Sequence, residues 1–235
     1  MTTASSGPDG GLFVALEGGE GAGKSTQAGR LVEWLRESGH EVVVTREPGA
    51  TAVGARVREL LLDPGTALGP HAEALLYAAD RAEHVATVIR PALQRGAVVV
   101  CDRYIDSSIA YQGFGRGLEP ETVAAMSRWA TGNLLPDLTV LLDLPVGAGR
   151  TRLHARGGLD RMEAEADAFH ERVRQGFGQL AAAEPDRYTV LDATGGIDQV
   201  AEQVRAAVQP LLTTDGRGGP AAINRDGSGT APLVI

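Results

Sequence analysis

Lysine is nearly absent from this chain. Of the 22 basic residues among 235, 21 are arginine, and Lys24 is the only lysine. A GC-rich coding bias produces such an arginine excess, and a lysine that survives the bias marks a position where arginine does not serve. Cysteine is equally scarce: Cys101 stands alone, so no intrachain disulfide can form, and no spacing suits a zinc site. Aromatic residues make up 4%, which leaves Ala, Val and Leu to build the core. Positive charge is in deficit, 22 Lys+Arg against 30 Asp+Glu, for a formal net charge of −8. That balance argues against a general nucleic-acid coat protein while leaving room for a local basic site. No run approaches the about 20 apolar residues that span a bilayer. The opening MTTASSGPDGG has neither the basic nor the apolar segment of a signal peptide. The expectation is a cytoplasmic, reduced protein with no membrane and no nucleic-acid partner.

What is present is ordinary globular usage, with 43% hydrophobic and 22% charged residues. The length suits one α/β domain. Apolar strand-like runs fall at 12–17, 41–45, 97–102, 138–144 and 188–193, separated by helical patterns. The helices are expected at 25–38, 52–62, 71–95, 120–131, 163–183 and 197–212, with a mixed segment reaching Gly117. Strands that are apolar throughout and alternate with helices indicate a five-stranded parallel sheet covered on both faces. The expected organisation is a flexible arm over 1–11, one domain over 12–212, and a disordered Gly/Pro/Asp-rich tail over 213–235.

The sharpest motif is Gly18-Gly19-Glu20-Gly21-Ala22-Gly23-Lys24-Ser25, followed by Thr26. It fits the G-x-x-x-x-G-K-[ST] phosphate loop and lies where that loop must lie, between a strand and a helix. Glycines let backbone N–H groups turn inward around phosphate oxygens, and the helix start adds its positive dipole end. Lysine reaches the β/γ-phosphates as a compact charge, which a planar guanidinium does not replace. The Ser25 hydroxyl is the Mg²⁺ ligand in this reading. Asp102, at the end of the third strand, is the carboxylate that approaches the metal or its water. The chain is thus read as a P-loop protein that binds ATP with Mg²⁺.

A phosphate cradle is common to kinases, switches and motors. Guanine-specific switches need an N-K-x-D element, and no second lysine exists to build one. Arg46 and Arg103 follow the second and third strands, and ligands of doubly wound sheets bind outside the C-terminal strand ends. Both arginines are therefore expected in one crevice beside the cradle, where they can clamp a second anion. This favours a kinase for a small phosphorylated acceptor. A kinase for another nucleotide and a nucleotide-binding regulator without turnover remain open on the residues alone.

The order of motifs resembles the bacterial thymidylate kinase family from about Leu12 to Leu212. The resemblance rests on GGEGAGKST, T-R-E-P-G (45–49), D-R-Y (102–104), S-S-I-A-Y-Q-G-F-G-R-G-L (107–118), P-D-L-T (136–139) and R-G-G-L-D-R-M-E (156–163). It implies transfer of the γ-phosphoryl of ATP-Mg²⁺ to dTMP, and a homodimer. It places Arg46 and Arg103, with Arg58 as a helper, on the dTMP phosphate, and Glu20 near the acceptor sugar. Tyr77 falls where the family stacks a phenylalanine on thymine, and Arg81, Ser108 and Gln112 fall around the base. Tyr111 matches the tyrosine packed on deoxyribose. The stretch 150–163 resembles a mobile lid that offers Arg150, Arg152, Arg156 and Arg161. Because the cradle holds no arginine, the lid is expected to supply the catalytic ones, Arg156 and Arg161. Two departures are Ala50, where the family usually has glycine, and Tyr77 itself. The five histidines are read as surface or helix residues, and Cys101 as a buried structural thiol.

Overall fold

The computed structural model describes residues 10–157 and 159–213, and the side chains of Arg156 and Thr213 also lie outside that description. Five parallel strands form one sheet in the order β2-β3-β1-β4-β5. These are β1 (Leu12–Gly18), β2 (Val42–Arg46), β3 (Val98–Asp102), β4 (Leu138–Asp143) and β5 (Tyr188–Asp192). The central β1 alternates its side chains between two cores. Leu12, Val14 and Leu16 meet α1 (Lys24–Glu37) and α9 (Ile197–Thr213) on one face. Phe13 and Ala15 meet Val85, Ile89, Ala92 and Tyr104 on the other. A third cluster joins Tyr111 and Leu141 to Phe169, Val173 and Phe177 of α8 (Asp167–Ala183).

Two helices match the expected bounds because local chemistry sets them. In α2 (Ala52–Leu62) the Thr51 Oγ1 accepts the Gly54 N–H at 2.9 Å. In α6 (Pro120–Thr131) proline opens the helix and Gly132 closes it at φ 59°.

Three stretches differ from expectation. The long helix expected over 71–95 is α3 (Pro70–His84), a widened π-type turn (Val85–Ile89) and α4 (Arg90–Gln94). The widening includes Thr87, whose carbonyl a straight helix would drive into the Pro91 ring four residues on. The segment before Gly117 is not mixed: it forms α5 (Ile105–Ser108) and a second π-type turn (Ile109–Gly115). The last major helix before β5 begins at Asp167 rather than 163, because Asp160 Oδ1 accepts the N–H groups of Met162 and Glu163 in a turn. Between β4 and that turn runs α7 (Val146–Arg156). The arm and tail lie outside the described residues except for Gly10, Gly11 and the backbone of Thr213. Gly11 is buried, since a Cβ there would stand 2.5 Å from the Ala97 carbonyl oxygen.

The strand register lines up the functional ends. Leu16 of β1 and Arg46 of β2 both pair with Asp102 of β3, so three strands finish at one level beside the loop that follows β1.

Candidate active site

At that level a cavity of about 610 Å³ opens, lined on one side by the loop from Glu20 to Gln27. Lys24 is folded back on its own loop, donating to Gly18 O at 3.1 Å and Gly19 O at 2.8 Å. Burial lowers the pKa of its amine, and the Arg103 charge adds to that, against Glu20, Asp102 and Glu17. Ser25 Oγ donates to Asp102 Oδ2 at 2.5 Å. These two oxygens come from different elements and sit together at the cavity wall. Among the described residues, no cluster of three His, Cys, Asp or Glu side chains could hold a metal unaided.

Arg103 lines the same cavity, tied to the phosphate loop. Its backbone is left-handed, φ 70°, and its N–H donates to Leu16 O at 3.0 Å. Its guanidinium donates to Gly18 O and Ser107 Oγ, each at 3.1 Å, and to Glu20 Oε1 at 2.7 Å. It also lies over the Tyr111 ring, 4.9 Å from the centroid. Burial alone would raise the Glu20 carboxyl, but the charges of Arg103 and Lys24 and the Tyr111 hydroxyl outweigh it and hold the group at about 2. Tyr111 OH donates to the same Glu20 oxygen at 2.7 Å.

The structure brings most of the expected acceptor residues to this cavity. Arg46, Arg58, Tyr77, Arg81, Ser108 and Gln112 line it, together with Arg103 and Tyr111. Arg58 is held by the Pro48 carbonyl at 2.8 Å. Arg81 is fully buried, donating to Glu47 Oε2 at 2.6 Å and to Ser108 Oγ at 3.1 Å. Burial pushes the Tyr77 phenol up, so it is a neutral hydroxyl at physiological pH.

The lid arginines divide. Arg152 lines the cavity and donates to Gly21 O at 3.2 Å and Ala193 O at 3.0 Å. Arg150 turns away to Glu165 O and Asp167. Arg161 is not at the cavity wall: it donates to Leu61 O at 2.7 Å and pairs with Glu73 at 2.7 Å. The side chain of Arg156 lies outside the described residues.

Buried carboxylates are what the sequence reading missed. The run 12–17 is not wholly apolar, for it ends in Glu17, which is fully buried and accepts the Tyr104 N–H at 2.8 Å, the Ser107 N–H at 3.1 Å and the Ser107 hydroxyl at 2.6 Å. A lone charge in a central strand was the available signal. Among the histidines, the one that ends α3 meets a buried carboxylate. His84 is fully buried, with Nδ1 2.9 Å from Glu47 Oε1 and Nε2 2.6 Å from Thr45 Oγ1. Glu73, fully buried on α3, gathers Gln112, Arg116 and Arg161. Cys101 is buried, with Sγ 3.1 Å from Arg103 O.

Comparison with known proteins agrees with this geometry. The family model described as thymidylate kinase matches residues 16–204. A thymidylate kinase of Clavibacter sepedonicus is 58% identical over 203 residues, covering 86% of this chain and 96% of the relative. One of Bifidobacterium longum subsp. infantis is 50% identical over 230 residues, covering 96% and 97%. The crystal structure of thymidylate kinase from Ehrlichia chaffeensis superposes with a TM-score of 0.70 at 32% identity, covering 86% of this chain and all of that one. A family model that matches most of the chain, and relatives at 50–58% identity over nearly their whole length, show that the chain belongs to the thymidylate kinase family.

Proposed function

We propose that this chain transfers the γ-phosphoryl of ATP to dTMP, releasing ADP and dTDP. The observation that carries the reading is the guanidinium of Arg103. It is fixed by Gly18 O and Glu20 between the phosphate loop and the residues around Tyr77 and Gln112. A second anion held there faces the end of a triphosphate lying in the loop.

The acceptor atom is a phosphate oxygen, already ionised at neutral pH, so no general base is needed. Positioning and charge neutralisation along an in-line path carry the chemistry. Lys24, once released from Gly18 O and Gly19 O, supplies its charge to the β/γ-phosphates. Arg103, with Arg46 and Arg58, holds the acceptor, and of the two expected lid arginines Arg156 is assigned to the transferring group, since Arg161 is committed to Leu61 O and Glu73. Ser25 Oγ and Asp102 Oδ2 fit a magnesium ion, which usually keeps several waters and takes only one or two protein oxygens beside substrate phosphates. When bound, that ion supplies positive charge to the phosphate oxygens.

The reading includes a kinase domain over 12–212 with its lid at about 150–163, working in the cytoplasm as a homodimer. Exposed Leu60 on α2, Leu75 on α3 and Trp129 on α6 support the dimer, because those three helices pack in succession and present apolar surface. No helix among the described residues is long and apolar enough to cross a membrane.

The test is ADP release from ATP-Mg²⁺ with dTMP, dUMP, CMP, UMP, AMP or GMP, with Lys24→Ala as the control for a contaminating kinase. Preference for dTMP that disappears in the control is the expected result. Preference for another monophosphate would keep the cradle and remove the base assignments. Binding without acceptor-dependent turnover would favour a regulator.

A further inference from the structure

Glu73 does not line the cavity, yet it touches a residue that does. It sits on α3 with no exposed surface, and both of its oxygens are fully used. Oε1 accepts from Gln112 Nε2 at 3.0 Å and Arg116 Nε at 3.1 Å. Oε2 accepts from Arg116 Nη2 at 3.0 Å and Arg161 Nη1 at 2.7 Å. Four donors on two oxygens match what a carboxylate can accept. Burial would raise this carboxyl, but the bonds from Arg116, Gln112 and Arg161 overcome that and keep it ionised. An ionised carboxylate only accepts.

Gln112 therefore has one sense. Its amide must turn the NH₂ end toward Glu73, and the end left for the cavity it lines is the carbonyl. The flipped amide would set a carbonyl against a carboxylate in a buried place, leaving two acceptors without a proton between them. A neutral residue at position 73 could donate or accept, and would leave the amide free to turn. Arg116 and Arg161 keep the carboxylate charged and fixed in rotation, and come from two other parts of the chain.

We infer that Glu73 is a positioning residue for base selectivity: it holds the Gln112 amide with its carbonyl toward the cavity, so that the site takes a base bearing a ring N–H and disfavours one whose ring nitrogen is bare. The inference rests on the proposed reading in that Gln112 faces the acceptor base. Thymine and uracil carry a ring N–H between two carbonyls, whereas cytosine has at the same place a nitrogen that only accepts. A carbonyl in the wall bonds the first and opposes the second.

The experiment measures kcat/KM for dTMP and dCMP in the wild-type protein, Glu73→Gln, Gln112→Met and the double variant, using inhibition by dCMP where its turnover is too slow. In the wild type, failure to use dTMP at all would sink the reading of function and is seen separately. The expected result is a dTMP-to-dCMP ratio that narrows about tenfold or more in each single variant, as sites built for a specific hydrogen bond lose discrimination when it goes. Because Glu73 acts through Gln112, adding Glu73→Gln to Gln112→Met should leave the ratio where Gln112→Met put it. A mere loss of packing would lower both substrates together. An unchanged ratio in either single variant, or a further narrowing in the double, overturns the inference. Should Glu73→Gln fail to fold, Glu73→Asp replaces it: the charge for Arg116 and Arg161 stays while the oxygens withdraw from Gln112, and the same ratio is read.

Discussion

Ser25 Oγ and Asp102 Oδ2 share a hydrogen bond of 2.5 Å, which ties the first turn of α1 to the end of β3. Two hard oxygens thus stand together where a nucleotide-bound cation would be met. Replacing Asp102 by Asn keeps the shape and removes the charge. The magnesium concentration for half-maximal turnover should rise about tenfold or more, as expected when a charge-assisted contact is lost. ATP binding measured in chelator should change little. A magnesium titration that superposes on the wild type would remove Asp102 from the metal assignment.

Arg103 is held by five bonds or contacts before any acceptor arrives, so its guanidinium needs no ordering at the moment of binding. Arg103→Ala should raise the KM for dTMP by a factor matching about 1.5–3 kcal/mol, the usual worth of a hydrogen bond to a charged group. The KM for ATP should stay close to the wild type. Arg103→Lys should recover little, because one ammonium cannot replace a fork fixed on Gly18 O and Glu20. Steady-state kinetics in both substrates decide it.

Two carboxylates, Glu17 just before the phosphate loop and Glu20 within it, respond to pH in opposite senses. Burial, with the Asp106 charge behind it, raises Glu17 from 4.5 to about 7, while Glu20 is held at about 2. The fold favours protonated Glu17, so that contribution is whole below pH 4.5 and is lost as pH rises through 7. Glu20 does the reverse, contributing above 4.5 and losing this as pH falls toward 2. Thermal unfolding of wild type and Glu17→Gln should therefore diverge between pH 4.5 and 7, the wild type losing ground, and run parallel above. A difference that stays constant through that window counts against the buried carboxylate.

The phosphate loop is shaped from outside as well as by its own glycines. A Cβ on Gly149 of α7 would come 2.3 Å from the Glu20 carbonyl oxygen, and one on Gly21, at φ 71°, would come 2.5 Å from the Gly149 oxygen. Both obstacles are backbone, so nothing flexible yields. Gly149→Ala should weaken ATP binding by a factor matching about 1–3 kcal/mol, the cost of overpacking. Calorimetric titration with ATP tests it, and unchanged affinity would mean that α7 does not brace the loop.

Arg161 and Arg156 should separate by experiment. Arg161 shares the buried Glu73 with Arg116, so Arg161→Ala leaves a carboxylate short of one partner. A loss of about 1–3 kcal/mol in unfolding free energy is expected, as for a buried group left unsatisfied. Arg156→Ala should instead lower kcat with stability kept. If Arg161→Ala melted as the wild type does, the Glu73 cluster would not be structural.

Sequence alone shows what is written locally or demanded by chemistry. Thr51, Pro120 and Gly132 set helix ends within a few residues of themselves, and the ends fall where expected. The phosphate loop and the arginines at strand ends were readable because anion binding tolerates few alternatives. The region around Gly113 and Gly115 was not. Its glycines look like loop residues, but they are needed because Pro120 and Phe169 press against them within 3.2 and 2.7 Å of an added Cβ. Glu73 escaped for a related reason. A glutamate on a helix reads as surface, and what buries it is Arg116, 43 residues away. Glu17 and Glu47 are the same case, each defined by partners from distant elements.

Lys24, turned inward on the carbonyls of Gly18 and Gly19, is also the only ε-amine in 235 residues. Chemistry that most proteins offer at many surface points is here confined to the phosphate loop. A protease that cuts after lysine has one bond to cut within the chain, between Lys24 and Ser25, and an acylating reagent has one side chain to find. At the side-chain level either agent finds its target only when the loop opens, because the amine is buried and bonded to its own loop. The protein thus carries a single-copy side-chain probe of the unfolding of that loop.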